Sequence, residues 1–130
     1  MIGFAQSVSM RKKIILGTCL LLLPLCLLIF WRVRQAHNEA KIRDAKHFCE
    51  ELIPKVEASK RRSGKYPNAI DPSWIEGKQV PELIRPNDFY ESHDDMYVLY
   101  FRYPGDFWDN IWGYQCGPQQ ACAWSSYDTN

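Results

Sequence analysis

Cys116 and Cys122 are the residues of this chain whose type and spacing point most directly to chemistry. Gly117, Pro118, Gln119, Gln120 and Ala121 separate them, a run of turn formers between two aromatic-rich segments. Such an arrangement suits a disulfide that staples a hairpin. Zinc is the rival use of a close cysteine pair, but a structural zinc site needs a full tetrahedral ligand set, and no second close Cys/His pair accompanies this one. Of the other three cysteines, Cys19 and Cys26 fall in an apolar run. Cys49 stands alone, and a small buried apolar residue on a helix face accounts for it better than a reactive thiol.

The acidic cluster Glu91, Ser92, His93, Asp94, Asp95 holds enough oxygens for calcium, with Glu91, Asp94 and Asp95 as the candidate ligands. Its spacing matches no EF-hand loop, so a solvated loop ahead of a strand is the better account. His37, His47 and His93 have no partner nucleophile in the sequence pattern and read as polar surface residues. The chain carries no Gly-rich phosphate loop, serine nucleophile elbow or histidine metal motif. Neither an enzyme nor a cofactor is expected. Aromatic rings crowd the C-terminal part, and one helix over a sheet can bury only one face, so several rings should remain for a partner. Phe107 and Trp108, flanked by Asp106 and Asp109, read as an exposed tip, with Trp112 beside them as a further contact.

These residues must be positioned by elements, and the first is an uncharged run over residues 14–31, preceded by Arg11, Lys12 and Lys13 and followed by Arg32 and Arg34. Eighteen such residues lie at the lower end of the roughly 17 to 25 that cross a bilayer. No A-x-A cleavage site follows, so the run reads as an uncleaved signal anchor rather than a signal peptide. The stretch Leu16, Gly17, Thr18, Cys19 faintly resembles a lipoprotein cleavage site, but cutting there would leave the apolar stretch 20–31 on the mature protein, and a lipid anchor would be redundant beside a spanning helix. The expected organisation is a cytoplasmic tail over residues 1–13, a transmembrane anchor over 14–31 and an α+β domain over 32–130. The basic residues after the run outnumber those before it, yet long domains translocate largely regardless of charge. The domain is therefore placed in the periplasm of a bacterium, anchored to the inner membrane, where a disulfide would also be stable.

Beyond the run, Val33, Ala36, Ala40, Ala45, Phe48, Cys49, Leu52 and Val56 form one apolar stripe, which predicts that the helix continues to about Ser63. Pro54 should kink it, while Lys60, Arg61 and Arg62 suit its negative end and Gly64 its left-handed cap. Residues 65–95 are punctuated by four prolines and read as loop, with a helical turn near residues 81–84. Strands are predicted over residues 96–103, 111–116 and 121–127, a three-stranded antiparallel meander. A transmembrane helix continuing into an amphipathic helix over this sheet is an α+β fold.

This order of elements, with Gly64, Lys65, Tyr66 and Pro67 after the helix, resembles the type IV pilin superfamily and most of all the major pseudopilins of type II secretion. The resemblance covers residues 14–127. It implies a pilin-like fold, a C-terminal disulfide between Cys116 and Cys122 of the kind many pilins carry, and calcium near the sheet. The prepilin peptidase motif is absent: Gly3 followed by Phe4 is the single candidate cleavage point, and Val8 stands where the family has a glutamate. Arg11, Lys12 and Lys13 would also bury unpaired cations in a filament core. What the resemblance implies is thus a pilin-like fold on a fixed anchor, not a filament subunit.

Charge divides the chain. Residues 32–65 hold ten basic groups against five acidic, and residues 66–130 hold three against ten, so the net charges are +5 and −7. The basic stem fits anionic head groups, an acidic partner or a solvated face equally well. Nucleic acid is excluded as a partner by the acidic head and the expected compartment. Two functions fit: a non-catalytic accessory or scaffold component of an envelope assembly, and a membrane-anchored immunity or inhibitor protein against a secreted toxin.

Overall fold

In the computed structural model the backbone is described for residues 3–104 and 109–128, and side chains for the same residues except 3–21, 104, 109, 120, 127 and 128. The chain divides into two units, Met1–Glu39 and Ala40–Asn130.

A single helix, α1, runs from Gly3–Ser63. In the first unit its side chains from Leu22 to Val33 are exposed wherever they are large and apolar. Among the described residues no helix is long and apolar enough to cross a membrane. The anticipated span over residues 14–31 has its first eight side chains outside the described residues, and the ten that remain reach only about 15 Å as helix, half a hydrocarbon core.

The second unit is built on the apolar stripe of α1. Ala45, Phe48, Cys49, Leu52 and Val56 recur every three or four residues, and all are buried. Val33, at the other end of the anticipated stripe, is 64% exposed. The helix continues through Pro54, which removes the donor for the carbonyl of Glu50. It ends where the sequence indicates: Gly64 adopts φ +79° and its N–H donates to the Lys60 carbonyl at 2.8 Å, a left-handed cap.

Four antiparallel strands follow, not three: β1 (Tyr90–His93), β2 (Met96–Pro104), β3 (Asp109–Gly117) and β4 (Gln120–Asp128), neighbours in that order. The extra strand lies where a loop was expected. Residues 90–93 pair with 96–99 across an Asp94, Asp95 turn, because a strand this short draws its stability from its neighbour rather than from its own pattern. The anticipated turn near residues 81–84 is present as a hydrogen bond from the Ile84 N–H to the Pro81 carbonyl, while the regular helical turn of this region is a 3₁₀ segment at Pro72–Trp74, capped by Asp71.

Alternation along the strands decides what faces the helix. Tyr97, Leu99 and Phe101 of β2 stand opposite Cys116, Tyr114 and Trp112 of β3, and Tyr114 opposite Trp124 of β4. These side chains meet the helix stripe, with Ile84 and Phe89 of the connecting segment closing the core. Burying each of the larger ones contributes about 1.5–3 kcal/mol. Among the described residues the C-terminal rings therefore lie mostly on the helix side; on the opposite row of β2 the register leaves Tyr100, paired with Gly113.

Candidate functional site

Cys116 ends the helix-facing row of β3, and the register of β3 with β4 shifts between Gln115 and Gly117. That irregularity brings Cys122 across from Cys116 with their Cα atoms 4.2 Å apart and their sulfurs at disulfide distance, as the spacing predicted. Cys116 is buried while Cys122 is exposed. Glycine suits position 117, because a Cβ there would lie 3.0 Å from the Met96 Cβ, tighter than side chains usually pack.

Around the buried sulfur lies a cluster that the sequence pattern did not single out. The Glu57 carboxylate is 3.8 Å from the Cys116 sulfur and accepts a hydrogen bond from the Tyr66 hydroxyl at 3.3 Å. The Tyr97 ring packs between those of Tyr66, Tyr90 and Tyr114, with centroids 4.7 to 6.2 Å away. Its hydroxyl is buried and, although the Glu57 carboxylate is near enough to act on it, closes no hydrogen bond of good geometry with any described residue. Burial first, and then the charge of Glu57, hold the Tyr97 phenol far above the ordinary range, and the same two causes raise Tyr66 and Tyr114. Glu57 and Tyr66 are nine residues apart on either side of the helix cap, so only the fold joins them.

A second cluster sits at the other end of the core. Lys46 of α1 places its ammonium 3.7 Å from the centre of the Trp112 ring and 5.5 Å from that of Trp124. One helical turn on, Glu50 accepts the indole N–H of Trp124 at 3.1 Å. Trp112 is thus half-buried, with the Lys46 ammonium over its ring. Phe107 and Trp108, the other two anticipated contacts, lie outside the described residues.

The calcium candidates are not brought together. Glu91 points to the Tyr100 hydroxyl, which donates to it at 3.3 Å and also to Asp88, while Asp94 and Asp95 are exposed in the β1–β2 turn. Among the described residues no group of three or more His, Cys, Asp or Glu side chains is placed to hold a metal. Burial and the hydrogen bond to Asp88 raise the Tyr100 phenol. His47 lies 3.5 Å from Glu51, and His37 and His93 are exposed. Glu51 is also the partner of Lys78, whose hydrogen bond holds its carboxyl below the usual range. Cys49 is buried and unbonded, and burial pushes its thiol up to about 12, the behaviour of a core residue rather than a nucleophile.

Chemically, these clusters supply a cysteine staple, a cation between two indoles, and ion pairs that tie the connecting segment to the helix through Lys41 with Glu82 and Lys78 with Glu51. No family model matches the chain, and no curated protein or solved structure matches it.

Proposed function

We propose that this chain is a non-catalytic, pilin-like or pseudopilin-like protein, anchored in the inner membrane of a bacterium, whose domain works in the periplasm as an accessory or scaffold component of an envelope assembly. The observation that carries the reading is the helix Gly3–Ser63: its early part holds the uncharged run over residues 14–31, and its later part packs on an antiparallel sheet. The close pair of Cys116 and Cys122 supports an oxidising compartment, since such a pair persists as a disulfide there. Arg11, Lys12 and Lys13 set this chain apart from a filament subunit, whose assembly helix is apolar from its start.

The acidic balance of residues 66–130, three basic groups against ten acidic, favours one further reading: an anchored immunity or inhibitor protein facing a basic secreted toxin. Affinity purification of the intact protein from its host after mild cross-linking, with mass spectrometry of the captured proteins and of its own N-terminus, separates the two. Secretion or pilus components captured by a chain that retains Met1 to Gly3 support the scaffold. Capture of a single toxin replaces it with immunity, and loss of residues 1–3 restores the filament subunit.

A further inference from the structure

The two sulfurs of the Cys116–Cys122 pair meet different surroundings. Cys122 is exposed, whereas Cys116 is 8% exposed and sits on the helix-facing row of β3, opposite Tyr97 of β2. The Glu57 carboxylate of α1 lies 3.8 Å from the Cys116 sulfur. A sulfur in a disulfide has no proton to donate, so that contact becomes a hydrogen bond only when the bond opens and Cys116 carries its S–H. Lys60, on the next turn of the helix, directs its ammonium over the Tyr66 ring, 4.1 Å from the centre. In thiol–disulfide exchange a thiolate attacks one sulfur and the other leaves as a thiolate, so the rate rises with access to the first and falls as the pKa of the second rises. Attack on Cys116 is opposed by burial and by repulsion between the incoming thiolate and Glu57. Attack on Cys122 is open, but it expels Cys116 as an anion in a buried place beside a carboxylate, where desolvation and like charge both disfavour it.

We propose that Cys122 is the exchange sulfur of this chain, the site at which a low-molecular-weight thiol becomes covalently attached, and that Glu57 slows the opening of the Cys116–Cys122 bond. In the first step the external thiolate bonds to the Cys122 sulfur as the S–S bond breaks. The bonding pair leaves on the Cys116 sulfur, which takes a proton from water and donates it to the Glu57 carboxylate as a hydrogen bond. A second external thiolate then attacks the external sulfur of the mixed disulfide and releases Cys122, which is protonated in turn. Two cysteines are reduced, and two external thiols are oxidised to one disulfide. The pair thus lasts as a staple although one of its sulfurs faces solvent.

The test uses the full chain in detergent, with its accessible free thiols alkylated beforehand. Glutathione is added, the reaction is stopped with acid, and fragment-ion mass spectrometry locates the adduct. Glutathione on Cys122 should exceed that on Cys116 by about tenfold. Dithiothreitol then gives the rate of reduction. Glu57→Gln keeps an acceptor for the Tyr66 hydroxyl and removes the charge, and it should be reduced about fivefold faster than the native chain. Glu50→Gln, which removes a carboxylate at the other end of the core, should leave the rate unchanged. An adduct on Cys116, one shared evenly, or none on either sulfur overturns the proposal. So does a Glu57→Gln rate equal to or below the native one, or a rise matched by Glu50→Gln. A native rate that stops rising with dithiothreitol concentration also overturns it, since exchange would then wait for the chain to unfold. The adduct map needs no variant, so it decides the exchange sulfur even where Glu57→Gln fails to fold.

Discussion

Tyr97 is buried among three other tyrosines, yet its hydroxyl closes no hydrogen bond of good geometry with any described residue. An unsatisfied buried hydroxyl costs about 1–3 kcal/mol, so Tyr97→Phe should raise unfolding stability by about 1 kcal/mol; a loss of stability in urea denaturation would mean that the hydroxyl is bonded. Cys49 makes a second residue-scale prediction. Its thiol moves from an ordinary 9.0 up to about 12 by burial. Below pH 9 both folded and unfolded chains keep the proton, so the thiol gives no pH dependence there. Between 9 and 12 the unfolded chain releases it first, and stability falls as pH rises. The raised phenols of Tyr66, Tyr90, Tyr97, Tyr100 and Tyr114 add to that fall at higher pH. Urea midpoints of the native chain should therefore drop from pH 9 upward, and those of Cys49→Ala should drop less steeply between 9 and 10.

Single elements carry the next expectations. Leu52 is fully buried in the helix stripe, and Leu52→Ala should cost about 3 kcal/mol, read by thermal or urea unfolding. Gly64→Ala should cost about 1 kcal/mol although nothing lies within 4 Å of the new Cβ, because φ is +79° there and the penalty is conformational. Both features were legible in the sequence, since a stripe of period 3.6 and a glycine after a basic last turn are local signals. β1 was not legible. Tyr90, Glu91, Ser92 and His93 are mostly polar, and Asp94 with Asp95 lacks the glycine that marks a tight hairpin; neither has a positive φ. The strand is held by pairing with β2 and by hydroxyls that reach Pro67, a residue more than twenty positions earlier. Trp112 shows the same limit. Its contact with Lys46 could not be read from its own neighbours, because it depends on a helix more than sixty residues away in sequence. The cysteine pair was readable because the five intervening residues, with their turn chemistry, bring it together locally.

At the scale of the whole molecule, an uncharged segment flanked by basic residues precedes a small domain built from a helix packed on a four-stranded sheet and stapled by a cysteine pair. Placing a charge near the middle of that segment, as in Leu23→Arg, should cost about 3 kcal/mol of insertion and shift protein out of the carbonate-resistant membrane fraction. The most direct test of the central claim uses host cells carrying the chain with a C-terminal epitope tag. Membranes are washed with carbonate, and spheroplasts are treated with protease before blotting. A full-length chain is expected in the carbonate-resistant pellet, with its tag lost from intact spheroplasts. A chain released by carbonate, or a tag cut only after the inner membrane is broken, would contradict the claim.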